Sequence, residues 1–299
     1  MRKIVISGST GMIGSSLVRC ALAQNFSVVC IVRKNSTKLN NILQSDKVQI
    51  LQLDLSDYKN YEPKIKDCDT FIHLAWEKTF GASRDDVDVQ VDNIQYTLDA
   101  VRLAYRMGCC AFVGVGSQAE YGPVDCDLTP ETPVHPESGY GIAKYTAGRL
   151  SALLCSQLGI KQNWVRVLSV YGINDAPHTL ISYVISELKE GRSPQLTKCE
   201  QIWDYLYCDD AAQGLLAIAD KGISGKVYPL GFGKGQKLSE YIESIRNEIN
   251  PKIPLGFGKK EYYPHQPMRL VANITDLVRD TGWKPNISFE VGLEKLLLF

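Results

Sequence analysis

The chain has 299 residues, enough to bury a large core in one domain or in two closely joined ones. Its 33 lysines and arginines are balanced by 33 aspartates and glutamates, so the charge gives no reason to expect a nucleic acid or an anionic membrane as a partner. No long apolar segment is present, and the first predicted strand begins at once. We therefore expect no signal peptide, no membrane span and a cytoplasmic location.

The cysteines favour a reducing compartment. There are nine, none of them in a C-x-x-C pair, and several lie inside apolar runs. Buried, reduced thiols are therefore expected rather than disulfides or zinc ligands, and no metal site is predicted.

Residues 3–17, KIVISGSTGMIGSSL, predict a strand, a glycine turn and the start of a helix. Glycine allows unusual backbone dihedrals and a close approach of the backbone to a ligand. The helix N-terminus offers free N–H groups and a positive dipole end, which suit the pyrophosphate of a dinucleotide. The alternative is a turn that only packs the helix on the strand. The expected cofactor contacts, including two hydroxyl donors, are Gly8, Ser9, Thr10, Gly11, Met12, Ile13 and Gly14.

A second strand is predicted over residues 27–32 and is followed by Arg33 and Lys34. In a dinucleotide fold this strand end meets the adenosine ribose. An acid there holds the 2′-hydroxyl of NAD, whereas a basic residue accommodates the 2′-phosphate of NADP. The pair therefore favours NADP(H), with NAD(H) and a merely solvated basic pair as alternatives.

Alternation over residues 48–53 predicts a third strand, followed by Asp54 and Leu55. Both residues are expected at the cofactor. Asp54 is suited to hydrogen-bond the adenine amino group or to cap the next turn, and the two roles do not exclude each other.

Residues 70–75 predict a fourth strand. His73 lies inside it and is expected to be a satisfied core histidine rather than a catalyst. Trp76 follows at the rim, where a substrate would lie. At the end of this strand the expected cofactor contacts are Leu74 and Ala75.

Two long helical patterns, at residues 88–107 and 138–157, alternate with strands predicted at 111–115 and 163–170. This βαβ alternation predicts an α/β fold, a Rossmann-type doubly wound parallel sheet with helices on both faces.

The pattern changes beyond Tyr171. We expect residues 1–171 to form the dinucleotide-binding Rossmann domain, to which residues 204–231 return. Residues 172–203 and 232–299 are predicted to form a smaller, interleaved C-terminal substrate-binding lid.

The residues predicted to be catalytic are Tyr140, Lys144 and Ser117. Tyr140 and Lys144 lie four apart on a predicted helix and therefore share a face, while Ser117 follows a strand end, where such folds bind ligands. A free phenol has a pKa of about 10, too high for proton transfer near neutrality. We expect the Lys144 ammonium to lower the pKa of Tyr140 to about 7, which needs roughly 4 kcal/mol.

In this scheme Tyr140 protonates a carbonyl oxygen as hydride arrives, or removes the hydroxyl proton in the reverse direction. Ser117 hydrogen-bonds the same oxygen, and Lys144 also holds the nicotinamide ribose.

The segments GSTGMIG, HLA, GSQAEYG, YGIAK, VRVLSVYG and WDYLYCDD together resemble the extended short-chain dehydrogenase/reductase family. This family contains sugar-nucleotide epimerases, dehydratases and 4-ketosugar reductases. The resemblance covers nearly the whole chain and implies a Rossmann core, bound NAD(P), a nucleotide-sugar substrate and a homodimer formed through the two long helices. It matches Ser117, Tyr140 and Lys144 to the catalytic set, and it implies cofactor contacts at Val167 and Val170.

Three departures from the family pattern bear on the reaction and on the substrate. Epimerases of the family commonly carry an acid after the second strand, where this chain has Arg33 and Lys34, so epimerisation fits less well than reduction. Dehydrating members carry an Asp-Glu pair where this chain has Gln118 and Ala119, so elimination of water is not expected. Many relatives hold the diphosphate with an Asn and an Arg at the positions of Ser169 and Trp203. Trp203 is suited to stack on a base or to pack at the rim. The expected substrate contacts are Trp76, Ser117, Gln118, Ser169 and Trp203.

The leading hypothesis is an NADPH-dependent reductase of a nucleotide-linked 4-keto-6-deoxy sugar, acting in deoxysugar biosynthesis. One alternative is an NAD-dependent nucleotide-sugar 4-epimerase. A second is a reductase of a small non-sugar carbonyl, which Ser169 and Trp203 keep open. A third is a non-catalytic cofactor-sensing protein.

Overall fold

Strands of a parallel sheet form the centre of this computed structural model, which describes residues 2–263 and 266–298. Met1, Pro264, His265 and Phe299 of the predicted domain ranges lie outside the described residues. The strands of this sheet and of two smaller sheets are, in chain order, β1 (Lys3–Ser7), β2 (Ser27–Val32), β3 (Val48–Gln52), β4 (Thr70–His73), β5 (Ala111–Ser117), β6 (Lys161–Val167), β7 (Ser169–Tyr171), β8 (Ile202–Trp203), β9 (Tyr205–Tyr207), β10 (Val227–Leu230), β11 (Gln236–Lys237) and β12 (Arg269–Leu270).

Seven strands pair in the order β10-β6-β5-β4-β1-β2-β3, and every neighbouring pair is parallel. The inner strands β1 and β2 are buried along almost their full length. Continuous Val and Ile runs suit a sheet that is covered on both faces. The order reverses between β1 and β4, which is the Rossmann arrangement, so the predicted fold class is confirmed.

Helices cover both faces of the sheet. One apolar core lies under α1 and α5, and a second lies under α2 and α3. Among the described residues, no helix is long and apolar enough to cross a bilayer. The helices are α1 (Met12–Ala23), α2 (Val87–Arg106), α3 (Gly139–Leu158), α4 (Leu180–Lys189), α5 (Cys208–Lys221), α6 (Leu238–Ile249), α7 (Thr275–Thr281) and α8 (Phe289–Leu297).

The strand predicted over residues 163–170 is in fact two strands. The main-sheet strand β6 ends at Val167, and β7 pairs instead with β9 in a separate two-stranded sheet. The predicted return of the chain to the main sheet is therefore wrong for β9 and right for β10, which pairs with β6. Alternation of side chains predicts a strand but does not identify its partner.

The chain after β6 builds a further apolar core from α4, α6 and α8, beside a three-stranded sheet of β11, β8 and β12. The buried Asp204 carboxylate, between β8 and β9, accepts hydrogen bonds from the backbone N–H groups of Phe232, Gly233 and Ala272 at 2.5, 2.9 and 3.1 Å. Its burial raises its pKa to about 6. Asp204 thus joins three distant segments, while the division into Rossmann domain and lid stays a prediction.

Candidate active site

The turn between β1 and α1 and the first turn of α1 need glycine for two separate reasons. Gly8 has a φ of +73°, and a Cβ there would lie 3.0 Å from the backbone nitrogen of Ala75. At Gly14 a Cβ would lie 2.2 Å from the carbonyl oxygen of Gly8. Gly11 caps α1 without a side-chain hydrogen bond, which leaves N–H groups of its first turn available to an anion.

Ser9 does not offer its hydroxyl to this turn. The side chain is fully buried and donates to the carbonyl oxygen of Ile6 at 2.7 Å. The expectation that this hydroxyl serves the cofactor is therefore wrong, because it satisfies a carbonyl of β1. Thr10 lies at the cleft, and its own carbonyl accepts a hydrogen bond from Asn41 Nδ2 at 2.9 Å.

A continuous cleft runs along the carboxyl ends of the strands. Its larger part, of about 670 Å³, extends from the glycine turn to Arg33, and its smaller part, of about 360 Å³, reaches Ser117. Of the predicted cofactor residues, Ser9, Lys34 and Val170 do not line it. Those that do are Gly8, Thr10, Gly11, Met12, Ile13, Gly14, Arg33, Asp54, Leu55, Leu74, Ala75, Tyr140, Lys144 and Val167.

The two cations after β2 differ in their surroundings. Arg33 is exposed and lines the cleft. Lys34 Nζ lies 2.9 Å from Asp57 Oδ2, and its backbone N–H donates to Asp54 Oδ1 at 3.1 Å. Lys34 is therefore engaged with its neighbours, whereas Asp54 both supports this turn and lines the cleft.

The three predicted catalytic residues meet at the smaller part of the cleft. Ser117 ends β5, and Tyr140 lies in the first turn of α3, whose cap Ser138 accepts the N–H of Gly141 at 3.1 Å. Lys144 follows one turn later and is only 3% exposed. The structure thus brings together side chains that are up to 27 positions apart in the sequence.

Lys144 is held mainly by groups other than Tyr140. Its Nζ donates to the carbonyl oxygen of Val115 at 2.7 Å and lies 3.7 Å from the centroid of the Trp76 ring. The centroid of the Tyr140 ring is 5.8 Å away. Burial lowers the pKa of Lys144 to about 7, against the opposing charge of Glu120.

The pKa of Tyr140 is raised, because burial outweighs the groups that favour its ionised form. Those groups are the hydrogen bond with Ser117 and the positive charge of Arg84, while Glu120 acts in the opposite direction. The expectation that Lys144 brings this pKa down to about 7 is therefore wrong for this structure.

Glu120 is a site residue that the sequence analysis missed. It is fully buried behind Ser117, whose backbone N–H it accepts at 2.9 Å. Trp164 Nε1 and Arg166 Nε also donate to its carboxylate, at 2.9 and 2.8 Å. The signal in the sequence is Arg166, a charge between the apolar residues Val165 and Val167 of a predicted strand, which requires a partner when it is buried.

His73 is a core residue, as expected, but its ring is only half satisfied. Its Nδ1 lies 2.8 Å from Ser7 Oγ, whereas its buried Nε2 has no hydrogen-bond partner among the described residues. Burial lowers the pKa of His73 to about 3. The ring is therefore neutral and ties β4 to β1. All nine cysteines are free, and the described residues contain no cluster of side chains suited to a metal ion.

Comparison with known proteins identifies the family of the chain. Residues 4–231 match the NAD dependent epimerase/dehydratase family. The chain belongs to this family. It is thus an enzyme of the NAD-dependent oxidoreductase type, and the resemblance to extended short-chain dehydrogenases/reductases is confirmed.

Individual relatives are distant but cover the whole chain. A dTDP-glucose 4,6-dehydratase from Neisseria meningitidis is 25% identical, covering 99% of this chain and 92% of that protein. A CDP-abequose synthase from Salmonella typhimurium is 27% identical, covering 98% and 97%. The crystal structure of a UDP-glucose 4-epimerase from Thermotoga maritima, determined with UDP-glucose, has a TM-score of 0.88 at 22% identity, covering 99% and 97%. This last likeness concerns the fold.

Trp76 lies deeper in this family member than the predicted position at the rim. Its ring covers the Lys144 ammonium and stands edge-on to the ring of Tyr140, with 6.0 Å between the two centroids. Its Nε1 donates to Gln90 Oε1 at 3.0 Å, which fixes the indole in the cleft. Both parts of the cleft are lined by Trp76, so this side chain stands where they meet.

Ser117 lines the smaller part of the cleft, whereas the other predicted substrate contacts, Gln118, Ser169 and Trp203, line neither part. Trp203 Nε1 donates to Ser169 Oγ at 2.7 Å, so the residues that replace the diphosphate-binding Asn and Arg of many relatives are hydrogen-bonded to each other. Val170 follows Ser169 in β7 and packs against two of the apolar cores. Gln118 begins the short 3-10 turn that follows Ser117.

The shifted pKa of Lys144 predicts a pH dependence of stability. As the pH falls below the ordinary pKa of 10.5, the unfolded chain takes up this proton, whereas the folded chain takes it up only near 7. The contribution of Lys144 to the free energy of unfolding is therefore largest at high pH and is lost as the pH falls towards 7. Lys144→Met should remove this dependence.

The measurement is urea unfolding of the wild type and Lys144→Met between about pH 7 and about pH 9. We expect the wild type to gain stability relative to the variant as the pH rises. Lys59→Met, at an exposed position, is the control and should follow the wild type. A constant difference between the wild type and Lys144→Met would contradict the assignment.

Proposed function

We propose that the chain is an NADPH-dependent reductase of a nucleotide-linked 4-keto-6-deoxy sugar. The observation that carries the proposal is the arrangement of Ser117, Tyr140 and Lys144 on the same cleft as the glycine turn and Arg33. The uncapped start of α1 and the crowded Gly8 and Gly14 positions fit a dinucleotide.

When bound, NADPH supplies the hydride that is added to the carbonyl carbon. The protein supplies the other half of the reduction: the Tyr140 hydroxyl gives its proton to the carbonyl oxygen, which becomes an alcohol. Ser117 donates a hydrogen bond to the same oxygen. Because the pKa of Tyr140 is raised, the phenol holds its proton near neutral pH and is ready to give it.

The surroundings of Ser117 support reduction over dehydration. The next two residues are Gln118 and Ala119, which have no acid or base to offer. The nearby carboxylate of Glu120 is fully buried and accepts hydrogen bonds from Ser117, Trp164 and Arg166. Elimination of water requires proton transfers that this carboxylate is not free to make.

A nucleotide-sugar 4-epimerase is the second candidate, favoured by the 26% identity to a putative UDP-glucose 4-epimerase from Methanocaldococcus jannaschii, which covers 98% of this chain and 97% of that protein. Ser117 and Tyr140 would serve oxidation and reduction of the same carbon. An epimerase retains its NAD(H) during purification. Measuring the NAD(H) that the purified protein releases on denaturation therefore distinguishes the two candidates. We expect a reductase to be purified without a full equivalent of NAD(H).

Tyr140→Phe removes the proposed proton donor and should lower kcat by about 10³-fold. The assay follows the loss of NADPH absorbance with nucleotide-linked 4-keto-6-deoxy sugars, and NADPH affinity should be retained. Tyr105→Phe removes the same hydroxyl from a ring outside both parts of the cleft and is the matched control. The assignment fails if Tyr140→Phe is as active as the control, or if the wild type oxidises NADPH with none of these ketosugars.

Arg33→Ala should weaken NADPH binding by about tenfold or more, because a charge-assisted bond to a phosphate contributes about 1.5–3 kcal/mol. NADH binding should change little. Lys34→Ala should have a smaller effect, since that ammonium is paired with Asp57. Titration calorimetry with both cofactors measures the ratio of NADPH affinity to NADH affinity. If Arg33→Ala weakened the binding of NADPH and NADH equally, the proposed preference for NADPH would be refuted.

We also propose a homodimer formed through α2 and α3. Both helices carry exposed apolar side chains, as the surface of a subunit interface would. These are Val87, Val91, Tyr105, Ile142, Leu150 and Leu153.

Leu153→Glu combined with Val91→Glu should convert the dimer to a monomer in sedimentation velocity. Each glutamate would be buried without a partner at the proposed interface. Leu43→Glu introduces the same charge at an exposed leucine outside both helices and should leave the dimer intact. Identical sedimentation of the double variant and this control would exclude the interface.

A further inference from the structure

Arg84 contacts the face of the proposed proton donor. It lies in the short 3-10 helix Gly81–Asp85 that precedes α2, and its Cζ is 4.7 Å from the centroid of the Tyr140 ring. This is the distance of a cation–π contact. Its Nε is buried and has no hydrogen-bond partner among the described residues. No hydrogen bond at Nε therefore accounts for this placement of the guanidinium.

The turn that carries Arg84 is held against the start of α3. The N–H of Gly139, directly before Tyr140, donates to Asp85 Oδ1 at 2.7 Å. A Cβ on Gly139 would lie 3.1 Å from the carbonyl oxygen of Arg84 and 3.3 Å from Asp85 Cα. The turn is thus packed tightly on the start of α3, which fixes the guanidinium relative to the phenol.

The groups around the Tyr140 phenol come from four elements. Lys144 lies on α3, and Ser117 and Glu120 lie on β5 and the turn after it. Trp76 lies in the segment after β4, and Arg84 lies in the turn at residues 81–85. The two cations differ in strength. Lys144 has a pKa of about 7 and is bonded to Val115, whereas a guanidinium stays charged at every working pH.

We propose that Arg84 is a positioning residue for Tyr140, a second and permanent cation that favours the ionised phenol. It keeps its charge in the pH range in which Lys144 loses its own. The inference rests on the proposed function only for the role of Tyr140 in turnover; the contact itself is independent of the reaction.

The direct test is the titration of Tyr140 by NMR in protein labelled with ¹³C at tyrosine Cζ. The Tyr140 resonance is the one that disappears in Tyr140→Phe. In Arg84→Gln we expect its pKa to rise by about one unit, the lower end of the effect of a charge at 4–6 Å. Arg84→Lys keeps the charge and should restore most of the shift. Arg102→Gln, on the exposed surface of α2, is the control and should change nothing.

The rates of carbonyl reduction and of alcohol oxidation supply an independent test, because Arg84→Gln should affect them in opposite ways. Carbonyl reduction needs the protonated phenol. The pH at which its rate begins to fall should therefore be higher in Arg84→Gln, by the same amount as the pKa of Tyr140. Oxidation of the alcohol needs the phenolate and should fall about tenfold at a pH below the pKa of Tyr140. A residue that only stabilised the fold would lower both rates.

An unchanged Tyr140 titration in Arg84→Gln overturns the inference, whatever the activity. If Arg84→Gln does not fold, the pKa of Tyr140 is measured in Arg84→Lys instead. A rise of less than one unit relative to the wild type supports the inference, and a fall overturns it. A shifted titration in a protein that reduces no ketosugar leaves the Arg84 effect standing and rejects the proposed function instead.

Discussion

Burial of two ionisable side chains, Tyr140 and Lys144, is the constraint that determines what the cleft can do. Burial disfavours the charged form of each, so the pKa of the phenol rises and the pKa of the ammonium falls. Near neutral pH the site therefore holds a protonated phenol beside a partly neutral amine. Such a site is prepared to give a proton rather than to take one, which favours reduction of a carbonyl over oxidation of an alcohol.

The fold supplies this burial from both sides. Trp76 covers the ammonium, while Glu120 anchors the Ser117 backbone from behind and is itself neutralised by Arg166. The carboxylate is close enough to act on both titrating groups, so it opposes the fall in the pKa of Lys144 and adds to the rise in that of Tyr140. The charge balance of the site thus depends on residues that touch no part of the cleft's surface.

Patterns within one segment were enough to predict the parallel sheet, the glycine turn and the pairing of Tyr140 with Lys144 on one helix face. Contacts between distant segments were not predictable in this way. Lys34 is engaged by Asp57, and β7 leaves the main sheet to pair with β9. Arg84 reaches Tyr140 only because two loops pack together, and periodicity carries no signal for such a contact.

The central claim, hydride addition to a carbonyl with the proton supplied by the protein, is tested most directly by isotope transfer. NADPH deuterated at the transferable C4 position is incubated with the enzyme and a nucleotide-linked 4-keto-6-deoxy sugar, and the product is examined by mass spectrometry and NMR. The account predicts one deuterium at the former carbonyl carbon for each NADPH oxidised. An isomerised nucleotide sugar without deuterium, formed with no consumption of NADPH, would contradict it.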